Sequence, residues 1–103
     1  MKLRQIAHAR AGDKGDTANI SVIAYNAVDF AHLQRYLTAD GVKNYFNNPS
    51  IRAVRRYELP ALSALNFVID GALSGGVTQS LAMDAHGKCV SSVLLDLEIP
   101  DLV

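Results

Sequence analysis

Ala9-Arg10-Ala11-Gly12-Asp13-Lys14-Gly15-Asp16-Thr17-Ala18-Asn19 is the stretch on which the reading of this fold turns. Its two glycines and two aspartates interrupt runs that alternate on either side. Lys2 to Arg10 precedes it, and Thr17 to Tyr25 follows, with Ile20, Val22 and Ala24 on one side and Ser21, Ile23 and Tyr25 on the other. A period of two predicts strands. A short glycine-bearing connection predicts that they pair as an antiparallel hairpin. Antiparallel sheets commonly pack helices on one face and leave the other to water.

Further along, Asn26 and Asp29 read as an N-cap and a short-armed capping box. Phe30, Leu33 and Leu37 then predict a helix to about Leu37. Thr38 caps a second short helix, with Val42, Tyr45 and Phe46 on one face, and Asn47-Asn48-Pro49 stops it. Ile51 to Leu59 predicts a third strand closed by Pro60. Leu62, Leu65, Ile69 and Leu73 recur at near-helical spacing, with Val68 and Ala72 beside them, and predict a helix that Gly75-Gly76 ends. Gln79 to Ala85 and Cys89 to Ile99 predict two last strands around His86-Gly87. The order is β-β-α-α-β-α-β-β. It implies an α+β two-layer sandwich, a mainly antiparallel sheet with helices on one face.

A chain of 103 residues suffices for a single domain over residues 1–103. Half of the residues are hydrophobic, yet so short a domain leaves apolar surface near water, which favours self-association or a partner chain. Ten basic residues balance ten acidic ones, so no overall field steers the chain to nucleic acid or to an anionic membrane. Cys89 stands alone, so no internal disulfide forms, and a cytoplasmic location is expected. The N-terminus lacks the apolar core of a signal peptide, and no apolar run is long enough to span a bilayer.

Polar groups able to do chemistry concentrate in the first turn. Asp13, Asp16 and Lys14 are the candidate catalytic residues, an aspartate serving as general base or metal ligand. Arg10 and Lys14 suit an anionic group, while Gly12 and Gly15 let backbone N–H groups approach a ligand. Asp13 and Asp16 could instead hold a hard cation as metal ligands, but two carboxylates are few for a closed site. A strand follows the turn, so it is no P-loop, and no motif names a cofactor. The plain alternative is a turn whose aspartates bond their own backbone.

Asn19 follows beside Thr17 on the second strand. Asn66 lies near the apolar side of the predicted third helix, where a buried amide without partners costs about 1–3 kcal/mol. His8 shares a face with Arg10, but His8, His32 and His86 have no metal-ligand spacing. Ser74-Gly75-Gly76-Val77-Thr78 reads first as helix termination. Arg52, Arg55 and Arg56 read as a solvated strand edge, or as a receptor for an acidic partner or a substrate carboxylate.

Several separated motifs occur together: Arg10 to Asn19, Arg56-Tyr57-Glu58-Leu59-Pro60, Ala64-Leu65-Asn66-Phe67, and Gly71-Ala72-Leu73 with Gly75-Gly76-Val77-Thr78. In this the chain resembles, roughly from Leu3 to Ile99, the ferredoxin-fold domain similar to the C-terminal part of the acyclic terpene utilisation protein AtuA. The resemblance implies a ferredoxin-like sandwich that is either fused behind a larger domain or made as a separate short chain. It implies a larger AtuA-like chain as partner and a setting in the catabolism of acyclic terpenes and branched acyl-CoA compounds. It assigns no catalytic residue and no cofactor. Three roles stay open: an accessory subunit, a self-contained homo-oligomeric enzyme or binding protein, and a structural assembly domain.

Overall fold

The computed structural model describes residues 1–72 and 88–102, except the side chains of Lys88 and Cys89. The first hairpin is present. Strand β1 (Ala7–Lys14) pairs antiparallel with β2 (Thr17–Ala24), in register from Ala7 opposite Ala24 to Lys14 opposite Thr17. Only Gly15 and Asp16 lie between them. Gly15 has φ +63° and Asp16 has no positive φ, the sign pattern of a II′ turn, whose twist suits flanking strands. The strand thus starts later than the alternation predicted and runs through Gly12, Asp13 and Lys14. A 3-10 turn over Leu3–Gln5 precedes it.

A second 3-10 turn (Ala27–Asp29) leads into helix α1 (Phe30–Tyr36), and α2 (Ala39–Phe46) follows. Thr38 caps α2 as expected, its Oγ1 accepting from the Gly41 N–H at 3.0 Å. Asn47, in the left-handed region at φ 49°, ends it.

Strand β3 (Ala53–Leu59) is then followed by a strand, β4 (Ala64–Asp70), where a helix was predicted. Pro60–Leu62 makes a 3-10 turn and Ser63 turns left-handed, so β3 and β4 form a second hairpin. The physical reason is that two periods overlap here. Leu65, Phe67 and Ile69 alternate with Asn66, Val68 and Asp70, and an aromatic and β-branched run favours the pleated solution. The last predicted strand is also corrected. Lys88–Leu94 is helix α3, with Val90 and Leu94 buried one turn apart. Only its tail is extended, where Leu97 and Ile99 are buried and Glu98 bridges to Lys2. The predicted strand at Gln79 to Ala85, the Gly75-Gly76 stop and the His86-Gly87 turn lie outside the described residues.

The four described strands form one antiparallel sheet in the order β1-β2-β4-β3. The hairpins sit side by side, with β2 and β4 at the centre. Ala18, Ile20 and Val22 of β2 and Leu65, Phe67 and Ile69 of β4 are buried in one cluster with Phe30, Leu33, Val42, Phe46, Val90 and Leu94 of the helices. The three described helices therefore cover the same face. The fold is an α+β sandwich of ferredoxin-like type, and its other sheet face carries no described helix.

The arginines of β3 divide by face. Arg56 lies on the core side, opposite Phe67, and its Nη1 donates to the carbonyls of Gln34 and Leu37, each at 2.8 Å, at the end of α1. Its Nη2 meets Glu58 at 3.0 Å. A helix terminus leaves carbonyls without intrahelical partners, and a cation there also complements the helix dipole. Arg56→Ala should therefore destabilise the fold by about 2 kcal/mol, measured by urea unfolding. Arg55→Ala should change it by less than about 1 kcal/mol, because Arg55 is exposed.

Residues 1–4 are held by the chain that leaves α3. Leu3 N–H donates to Leu97 O, Arg4 N–H to Leu95 O and Ile99 N–H to Met1 O, all at 2.9 Å. Arg4 reinforces this clasp through Asp96, with Nη2 2.8 Å and Nε 3.1 Å from Oδ1. The Arg4 hydrogen bonds, aided by the charges of Arg4 and Lys2, hold the Asp96 carboxyl below its ordinary range. A depressed carboxyl stabilises above its unfolded pKa and loses that contribution as pH falls through the folded one. The melting temperature should accordingly fall as pH drops below about 4, with a shallower fall in Asp96→Asn.

Candidate functional site

The open face of the sheet is built from the alternate residues that the core does not use. On β1 these are His8, Arg10, Gly12 and Lys14, and on β2 Thr17, Asn19, Ser21 and Ile23. On β4 they are Ala64, Asn66, Val68 and Asp70, and on β3 Ala53, Arg55, Tyr57 and Leu59. The register places Arg10, Ser21, Asn66 and Tyr57 in one row across all four strands.

Asn66 is the centre of that row. Its Nδ2 donates to Ser21 Oγ at 2.8 Å and to Asn19 Oδ1 at 3.3 Å. This engages the Asn19 carbonyl and the Ser21 oxygen as acceptors, and leaves the Asn19 amide N–H groups and the Ser21 hydroxyl proton to donate. Toward the hairpin tip, Thr17 Oγ1 donates to Asp70 Oδ1 at 3.3 Å, and Arg55 Nη2 reaches both oxygens of Asp70 at 3.3 Å. Asp16 is held by Arg52 at 3.2 Å. At the opposite end the face turns aromatic and apolar. His8 stacks on Tyr25 with ring centroids 5.2 Å apart, and Tyr25, Tyr57, Leu59 and Leu62 are exposed.

The residues singled out from the sequence divide accordingly. Arg10, Gly12, Lys14, Asn19 and Asn66 come together on this face. Asn66 does so because it stands on a strand, not beside the apolar side of a helix. Asp13 lies opposite Ala18 and so belongs to the other face, at an exposed position beyond the helices. Asp16 sits in the turn, tied to Arg52. The two carboxylates thus do not converge, and among the described residues no group of three His, Cys, Asp or Glu side chains could hold a metal ion. Gly15 shapes the turn, whereas Gly12 lies within β1. Ser21, Tyr57 and Asp70 were missed from the sequence. Reading 64–70 as alternating would have placed Asn66 and Asp70 on one face with Tyr57 and Arg55 beside them.

Nothing among the described residues requires Gly12 to be glycine. Its φ is not positive, and a Cβ built there meets nothing within 4 Å. Glycine inside a strand is destabilising by about 0.5–1 kcal/mol relative to alanine. Gly12→Ala should therefore raise the melting temperature by a few degrees in a thermal scan, at about 4–8 °C per kcal/mol. A surface depression of about 390 Å³ lies on the helical side, lined by Tyr36, Thr38, Tyr45, Asp96 and neighbours. None of the candidate site residues lines it. No described helix is long and apolar enough to cross a membrane.

A family model described as the AtuA ferredoxin-like domain matches residues 1–100. No curated protein and no solved structure matches the chain.

Proposed function

Because the chain belongs to the AtuA ferredoxin-like domain family, we propose that it is an accessory subunit of a catabolic enzyme system acting on acyclic terpene or branched acyl-CoA-type compounds. It docks on a larger AtuA-like chain and contributes the Gly12-Asp13-Lys14-Gly15-Asp16 segment, with Arg10 and Asn19, to a shared site. The observation that carries this reading is the hairpin tip. Arg10, Asp13 and Lys14 are exposed there, and none of their side chains has a hydrogen-bond or ion-pair partner among the described residues. Charged side chains near the end of β1, next to a two-residue turn and left unpaired among the described residues, are available to something outside the chain.

Affinity purification of the chain from its native host tests the reading. Recovery of a larger chain in stoichiometric amount, lost on replacing Arg10, Asp13 and Lys14 together, is the expected result. Recovery of the small chain alone would defeat it. A self-contained homo-oligomer is the second reading, favoured by exposed Tyr25, Leu59 and Leu62 at the far end of the open face. Burial of that end between copies would give a dimer or larger species in light scattering, and a monomer would count against it.

A further inference from the structure

We infer that the notch above Gly12 on the open face is a binding subsite for a phosphate or diphosphate group, held between Arg10 and Lys14 and met from the neighbouring strand by the Asn19 amide. The inference rests on the reading that this hairpin serves a ligand, and adds which face is used and what chemistry it takes. It does not depend on the larger chain.

Charge is the first line of argument. The chain as a whole is neutral, with ten basic and ten acidic residues. The tip end of the open face is not. Its carboxylate, Asp70, is neutralised by Arg55 and also accepts from the Thr17 hydroxyl, and neighbouring Asp16 is neutralised by Arg52. Asp13 lies on the opposite face. Arg10 and Lys14 are left as two cations without an internal counter-charge among the described residues.

Shape is the second. Arg10, Gly12 and Lys14 are successive positions on the same side of β1, so the glycine leaves a gap flanked by two long cationic side chains. Glycine in a strand interior marks a place where a ligand or another backbone approaches closely. Here neither φ nor packing among the described residues explains it. Preorganised donors are the third. Asn19, opposite Gly12, has its Oδ1 bound by Asn66, which leaves its amide N–H groups to donate. Beside it the Ser21 hydroxyl, fixed by the same Asn66, stands opposite Arg10. A guanidinium, an ammonium and neutral N–H and O–H donors around a side-chain-free gap match the several acceptor oxygens of a phosphate better than a single carboxylate.

The test uses the full chain and inorganic pyrophosphate, with phosphate, acetate and an acidic peptide as parallel probes, followed by NMR at low salt. Pyrophosphate should shift the amides of Arg10 to Asn19 and of Asn66. Arg10→Gln and Lys14→Gln should each weaken binding by about tenfold, the worth of one lost charge-assisted contact. Gly12→Ala, which keeps or raises the melting temperature, should weaken it by obstruction alone. Adenosine diphosphate binding at the same amides would identify a nucleotide-type ligand as the source. No shift with pyrophosphate at tens of millimolar, binding unchanged in all three variants, or tighter binding of the acidic peptide would overturn the proposal. Loss of the larger chain in affinity purification, with pyrophosphate still bound, would sink the accessory-subunit reading and leave this one standing.

Discussion

Gly71→Ala should unfold this protein at a temperature about 12 °C or more below the wild type, the counterpart of a loss of about 3 kcal/mol or more. Two independent obstacles stand at this position. The backbone has φ +88°, a conformation that costs a side chain about 1–2 kcal/mol. A Cβ there would also sit inside contact distance of the Ser50 carbonyl oxygen. Because the obstructing atom belongs to the backbone, no rotamer change relieves it. The surroundings are fastened as well: Ser50 Oγ lies 2.8 Å from Gly71 O and 2.9 Å from Asn48 Oδ1, and Arg52 N–H donates to Asp70 O at 2.8 Å. Moving Gly71 aside would break this junction between the end of α2, β3 and β4. A melting temperature within about 3 °C of wild type would show that the junction yields and that the close approach is unimportant.

Phe67→Ala should cost about 3–5 kcal/mol, and Val68→Ala less than about 1 kcal/mol. Phe67 is fully buried on a central strand, facing Ile20 on one side and lying opposite Arg56 on the other. Removing its ring leaves a void that a sheet pinned on both sides closes poorly. Val68 points to the open face and is only half-buried. The pair separates the two ways of reading this segment. As a helix, the apolar face would have been Leu62, Leu65, Val68, Ile69 and Leu73, with Val68 in the core and Phe67 outside it. As a strand, the ranking inverts. Urea unfolding of both variants decides it, and comparable losses would contradict the strand.

The first hairpin, the Thr38 cap and the α+β sandwich were legible because each rests on a local signal: a period of two around glycines, a hydroxyl three residues before an amide, apolar stripes of one period. The segment 64–70 was not, because leucine and isoleucine there satisfy two periods at once. Sheet partners, which lie far away in sequence, settled the choice. The same overlap hid α3, where Val90, Val93, Leu94 and Leu97 fit a helix while Val93, Leu95, Leu97 and Ile99 fit a strand. Residues of the site were visible as types, but not as neighbours. Arg10 and Asn66 are 56 positions apart, and only the register through Ser21 places them in one row. Arg52, Arg55 and Arg56 illustrate the converse: three residues that look alike in sequence bind Asp16, Asp70 and the end of α1.

The central β2–β4 seam has a consequence for how the molecule assembles. Each hairpin joins neighbours across a short turn and can close within microseconds. The seam joins Ala18 to Ile69 and Ile23 to Ala64, so its closure must gather everything between the hairpins, both middle helices included. Ordering a long intervening segment before any cross-strand reward arrives makes this the slow event. A ribosome releasing the chain would hold a finished first hairpin and two unsupported helices until β4 emerged. Substitutions along the seam, such as Val22→Ala, should then slow refolding, while changes at the Gly15-Asp16 turn should mainly alter how fast the finished protein comes apart.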